Sequence, residues 1–172
     1  MIRLASAQDI DAIDAGYTEL LLHEREHGTN SHWELGVYPT RATAERAVAD
    51  GTMYVLEREG QVCASMILNS YQAPEYRDIP WLYPAREAEV LVIHTLCVPP
   101  SEAGRGLGTR MVAFAADFAL RQGRRVIRLD TNAQNLPAQR LYLKCGFRLS
   151  GRRRCLHEGV LDTELVYLER EL

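Results

Sequence analysis

At 172 residues the chain is long enough to bury about two thirds of the surface its unfolded form exposes, and residues 1–172 are expected to form one domain. A hydrophobic fraction of 47% beside 25% charged residues excludes disordered, collagenous and disulfide-scaffold classes. The net charge of −3 conceals segregation: residues 1–98 balance at −8, residues 99–155 at +9 and residues 156–172 at −4, so a stretch able to attract a polyanion sits inside an acidic protein.

Ile2-Arg3-Leu4 reads as a short strand. A helix is predicted from Gln8 to His27, where Ile10, Ile13, Tyr17, Leu20 and Leu21 recur at helical spacing and Gly28 supplies the stop. A second helix is expected from Thr40, its cap, to Asp50, with Gly51 as stop. Two strands, 52–59 and 61–69, follow as a hairpin turning at Glu59-Gly60. Ser70 to Arg86 holds three of the seven prolines and no period, the character of a long functional loop. Residues 89–98 form an apolar run expected as a central strand buried on both faces, stopped by Pro99-Pro100. Leu107, Met111, Phe114, Ala115 and Phe118 mark one face of a helix ending at Gly123. A strand over 125–131, a helix from Leu136 to Cys145, and two short strands near Phe147–Leu149 and Glu164–Leu168 complete the chain. Helices and strands alternate through one mixed sheet.

No apolar run approaches the roughly 18 residues that span a bilayer, and the N-terminal residues turn acidic early, so a cytoplasmic location without a membrane partner is expected. Cys63, Cys97, Cys145 and Cys155 are widely spaced, with no C-x-x-C pair, and read as reduced thiols. His23-Glu24-Arg25-Glu26-His27 satisfies H-E-x-x-H, a zinc-protease signature. Too little chain precedes it for the sheet such enzymes use, and Asn30 and Trp33 stand where the extended motif needs Gly and His. A solvated helix end fits better, and no metal is expected. The run Arg152-Arg153-Arg154 lacks interleaved aromatics, so no nucleic-acid partner is expected either.

The most informative stretch runs from Val98 through Gly104, Gly106 and Gly108 to Thr109: strand, glycine-rich loop and helix start in succession. Glycines let backbone approach a ligand, and amides at a helix N-terminus face anions, so a pyrophosphate is the natural occupant. A tight turn needing positive φ is the structural alternative. No Lys-Ser or Lys-Thr follows, which excludes a nucleotide-triphosphate P-loop. The glycine spacing and the two prolines argue against a dinucleotide-binding fold.

Val98, Pro100, Gly104, Arg105, Gly106, Leu107 and Gly108 resemble the first motif of the GNAT superfamily of N-acetyltransferases, a strand ending in V-x-P followed by [Q/R]-G-x-G-[I/L]-[G/A]. Asn135, Ala138, Leu141, Tyr142, Gly146 and Phe147 match its second, N-x-x-A-x-x-L-Y-x-x-x-G-F. Ala103 departs from the pattern, standing where the family has Gln or Arg. The resemblance implies an α/β fold with a central mixed, mostly antiparallel sheet flanked by helices, in which a splayed strand pair holds acetyl-CoA.

It further implies that the pyrophosphate lies on the amides of Arg105, Gly106, Leu107, Gly108 and Thr109. The pantetheine arm would follow Leu96, Cys97 and Val98, with Asn135 and Ala138 as further cofactor contacts. Tyr142 would act as donor to the departing thiolate, the alternative being a tyrosine packed in the core. Transfer would go to a primary amine, small molecule or peptide, by direct attack in a ternary complex. A non-catalytic acyl-CoA sensor of the same fold is the alternative. Homodimers are common among proteins of this resemblance.

A primary amine with a pKa near 10.4 needs about 4.6 kcal/mol to reach its neutral form at pH 7, so a base is expected. His94 is the preferred candidate and Glu89 the second; strand alternation places them on opposite faces unless a bulge intervenes. A core His94 satisfied by a backbone partner is the other reading. For the acceptor side, Trp33, Tyr38, Asn69, Gln72, Tyr76 and Trp81 lie in segments able to shape it.

Overall fold

The computed structural model describes residues 1–157 and 161–172. Along the chain it places β1 (Ile2–Leu4), α1 (Ile10–His27), α2 (Arg41–Ala49), β2 (Met53–Arg58), β3 (Gln61–Asn69), β4 (Val90–Cys97), α3 (Leu107–Arg121), β5 (Val126–Asn132), α4 (Leu136–Lys144), β6 (Arg148–His157) and β7 (Leu161–Glu171). The seven strands form a sheet in the order β1-β2-β3-β4-β5-β7-β6. β1 with β2, β2 with β3, β5 with β7 and β6 with β7 pair antiparallel, and β4 with β5 parallel. This is the mixed, mostly antiparallel architecture expected. By backbone proximity the chain divides into two compact units, 1–29 with 33–68 and 95–111, and 30–32 with 69–94 and 112–172.

In the first unit, α1 turns Ile13, Tyr17, Leu21 and Glu24 inward at three- and four-residue spacing. Ile13 and Tyr17 join Ala44 of α2, Met53 and Val55 of β2 and Cys97 in one apolar cluster. A 3-10 turn, Ala7–Asp9, precedes α1, so the regular helix begins two residues later than predicted. The Asp9 carboxylate accepts the Ser6 amide at 2.7 Å and receives both terminal nitrogens of Arg3 at 2.8 and 2.9 Å. The Arg3 guanidinium holds that carboxyl far below the usual range. Thr40 begins α2 with a reciprocal capping pair to Thr43. Glu59 and Gly60 both take positive φ, +51° and +79°, giving the two-residue hairpin turn its proper twist.

In the second unit, Val90 and Val92 of β4 pack with Val126, Leu165, Tyr167, Tyr76 and Ile79. The last two strands are 10 and 11 residues long, not the short pieces predicted. Two features hide that length in the sequence. A bulge between Leu149 and Gly151 shifts the alternation, and three successive arginines remove the apolar signal. Each arginine meets an acid: Arg152 meets Glu164, Arg153 meets Asp78 and Arg154 meets Asp162.

His23 and His27 stack at the exposed end of α1, their centroids 4.2 Å apart. Among the described residues there is no group of three or more His, Cys, Asp or Glu able to hold a metal. No helix among them is long and apolar enough to cross a membrane.

Candidate active site

The double proline ends β4, and a 3-10 turn, Pro100–Glu102, leads into Gly104 (φ +76°) and Gly106 (φ +72°) before α3 begins at Leu107. A Cβ at either glycine would meet nothing within 4 Å, so backbone angle rather than crowding requires them. Leu107 is buried and anchors the helix start. The first hydrogen bond back into the loop is Arg110 N–H to the Gly106 carbonyl at 3.1 Å, which leaves the preceding amides of the first turn without helical partners. Arg105 is half exposed and its guanidinium reaches the Glu102 carboxylate at 3.1 Å. The approach to this loop is fixed by α1: Glu19 accepts the Ser101 amide at 2.7 Å and its hydroxyl at 3.0 Å.

Strand β4 bends at Thr95, a buried β-branched residue with φ +49°. Such an angle costs about 1–2 kcal/mol in a residue with a Cβ. The Tyr38 hydroxyl and Thr95 Oγ1 share a hydrogen bond of 2.5 Å, and Trp33 meets the Tyr38 ring edge-on at 5.8 Å. Tyr38, expected on the acceptor side, thus braces the bend. Leu96 and Val98 are half-buried, while Cys97 is 1% exposed and its thiol points to the Gly16 carbonyl at 3.7 Å. Burial pushes that thiol up to about 12. The Cys97 side chain belongs to the core.

Preceding the bend, His94 is half-buried, with Nε2 2.9 Å from Asn69 Oδ1. The same oxygen accepts the Tyr71 amide at 2.9 Å, and the Tyr71 ring lies 6.3 Å from the imidazole. The structure therefore brings together His94 and Asn69, predicted for different roles. Glu89 is elsewhere engaged. It closes a 3-10 turn, Glu87–Glu89, and accepts Arg86 through its amide at 2.8 Å and Nη2 at 3.1 Å. Arg86 lowers the carboxyl to about 2, which makes it a weak base.

Three further residues expected on the acceptor side, Gln72, Tyr76 and Trp81, take part in contacts within the fold. The loop 70–86 is tied down by a buried polar network. Gln72 accepts Arg128 Nη1 at 2.8 Å, and the Tyr83 carbonyl accepts Nη2 at 3.1 Å. The Arg128 guanidinium lies over the Trp81 ring at 4.2 Å. Glu169, wholly buried, faces Arg128 Nε at 3.7 Å and accepts the Leu82 and Tyr83 amides and the Ser150 hydroxyl. Tyr76 is 2% exposed and donates to Asp130 at 2.8 Å, while Trp81 donates its indole N–H to the Tyr76 carbonyl at 2.8 Å. Gln72, Tyr76 and Trp81 hold the loop because the ionic and amide groups there, buried from water, demand partners.

On α4, Asn135 is the N-cap and its side-chain oxygen accepts the Ala138 amide at 3.2 Å. That local bond gives both motif residues a structural role. Tyr142 is 6% exposed and packs against Phe147 at 5.7 Å. Burial and the nearby Asp130 charge push its hydroxyl well above the ordinary phenol value.

Sequence reasoning missed the Thr95 bend, since threonine carries no left-handed preference, and missed Asn69 as the partner of His94.

A model of the acetyltransferase (GNAT) family matches residues 16–147. An acetyltransferase of that family from Streptococcus agalactiae superposes with a TM-score of 0.81 at 21% identity, covering 100% of this chain and 95% of that one. A Salmonella typhimurium protein assigned as an acetyltransferase and solved with its cofactor acetyl-CoA gives a TM-score of 0.70 at 22% identity, covering 100% and 93%. At these identities the two structures show the fold. The streptothricin acetyltransferase of Escherichia coli is 39% identical over 59 residues, 34% of this chain and 34% of its own. The chain spans about a third of the length of the curated relatives it matches. With more than half of its residues under the family model and the fold in agreement over its whole length, the chain belongs to the acetyltransferase (GNAT) family.

Proposed function

We propose that the chain, acting as one domain over residues 1–172, transfers acetyl from acetyl-CoA to a primary amine. The observation that carries this reading is the loop from Gly104 to Gly106: two left-handed glycines with open space beside them, followed at once by the amides that begin a 15-residue helix. Those features fit a pyrophosphate, which needs backbone donors and a surface without Cβ atoms. The family's use of acetyl-CoA supplies the rest of the cofactor's identity.

In this reading the amides of Arg105 to Thr109 hold the pyrophosphate, and Arg105 and Arg110 screen its charge. The backbone of Leu96 and Val98 lies along the pantetheine. In support, the parallel ladder of β4 with β5 runs from Val90↔Val126 to Val92↔Arg128, while β4 itself continues to Cys97. Bound acetyl-CoA supplies an acyl group on a thioester. His94 takes the proton that the acceptor must lose, and nitrogen forms a bond to the acyl carbon as the carbon–sulfur bond breaks. Tyr142 donates a hydrogen bond to the departing sulfur. Its raised pKa keeps the phenol protonated at neutral pH, and because a thiol ordinarily titrates near 8.5 it stabilises developing charge more readily than it surrenders the proton.

The acceptor is a small or peptidic amine. Streptothricin, named in a relative that matches a third of this chain, is one member of the panel to test. Release of free thiol from acetyl-CoA with that panel is the test, repeated with Tyr142→Phe and His94→Ala. We expect His94→Ala to lose about 10²-fold in rate and Tyr142→Phe about tenfold. Tight acetyl-CoA binding without thiol release from any acceptor would make the chain an acyl-CoA sensor instead.

A further inference from the structure

We infer that Asn69 is a positioning residue that decides which ring nitrogen of His94 carries hydrogen, and so makes Nδ1 the basic atom. This rests on the reading of His94 as the base.

A backbone N–H can only donate. The Tyr71 backbone N–H points at Asn69 Oδ1 from 2.9 Å, so the amide's orientation is settled: the oxygen, not the nitrogen, stands between Tyr71 and His94. That oxygen lies 2.9 Å from His94 Nε2 and can only accept. Nε2 therefore carries hydrogen whether the ring is neutral or charged. In the neutral imidazole the lone pair is then on Nδ1.

The neutral partner has a chemical consequence. A carboxylate in place of Asn69 would form the same bond and add a negative charge, favouring the imidazolium and withholding the free base at neutral pH. A carboxamide fixes tautomer and ring orientation without that charge. It also cannot accept the proton in turn, so no proton passes from the ring to the Asn69 side chain. Asn69 ends β3 and Tyr71 opens the 70–86 loop, so the bond that orients the base is itself set by the turn after the strand. The Tyr71 phenol is one titratable group beside the ring, its ring centroid 6.3 Å from that of the imidazole.

The test uses the full chain with ¹⁵N-labelled histidine. Long-range proton–nitrogen correlation above the histidine titration should show His94 with hydrogen on Nε2, and a resonance pattern with hydrogen on Nδ1 overturns the inference. Asn69→Asp should move the acid limb of the kcat/KM profile upward by about one pH unit, with rate recovered at high pH; an unmoved limb also overturns it. Asn69→Leu should lower kcat about tenfold while KM for acetyl-CoA stays within twofold, whereas equal losses in both would make Asn69 merely structural. If His94→Ala keeps full activity, the base assignment falls, and the nitrogen spectrum still judges the tether separately.

Discussion

The loops 70–86 and 99–106 both carry prolines and both interrupt regular structure, yet they spend their polar groups in opposite ways. In the first, side chains and main chain are used internally: Tyr76 donates to Asp130, Trp81 to the Tyr76 carbonyl and Arg128 to the Tyr83 carbonyl, while Arg128 Nε faces Glu169 at 3.7 Å. In the second, the backbone after Gly104 is presented outward, and the side chains nearby bond mainly to hold its path. The difference teaches that aromatic and amide residues in a long loop are drawn into the fold's own bonding when a buried ion pair lies beneath them. Left-handed glycines before a helix leave open space instead, with no Cβ and no neighbour within 4 Å.

That contrast can be broken most forcefully at Arg128. Arg128→Met leaves the Glu169 carboxylate buried without its cation, and urea unfolding should show a loss of about 3–5 kcal/mol. A change under 1 kcal/mol would mean that the network does not hold the loop. Next comes Gly106→Val, which forces a β-branched residue to φ +72°. We expect about 1–2 kcal/mol of lost stability, together with at least tenfold weaker acetyl-CoA binding by calorimetry. Unchanged binding would remove the loop from the cofactor site. Tyr76→Phe deletes the bond to Asp130 and should cost about 1 kcal/mol, with KM for the acceptor unaltered; a raised KM would place Tyr76 on the acceptor side.

The smallest effect belongs to Glu89. Its folded carboxyl, lowered to about 2, lies below the unfolded value near 4.3, so the pair with Arg86 contributes stability above pH 4.3 that fades as pH falls toward 2. In acid titrations Glu89→Gln should flatten that window slightly and leave thiol release intact. A large fall in rate would reinstate Glu89 as the base.

Most of the fold was legible because its boundaries depend on local chemistry. Thr40, Gly51, Glu59-Gly60 and Gly146 each mark a turn or cap that short-range rules predict. The glycine loop was legible for the same reason. Tertiary pairing set what was not. Nothing local tells that Glu169 will lie under residues 82 and 83, or that Gln72 will meet Arg128, since their partners are 56 or more positions away. The long final hairpin stayed hidden because its arginines are neutralised across strands and from Asp78, a pattern no single strand displays.

Gly16 sits inside α1, where alanine would favour the helix by about 1 kcal/mol, yet a methyl there would come 3.1 Å from Pro99 Cγ. The helix thus serves as a shim whose missing methyl sets the height of the double proline, and with it the level at which the following amides stand. In the proposed cofactor reading, Gly16→Ala would then alter affinity for acetyl-CoA from the back of a helix, through the path of the loop.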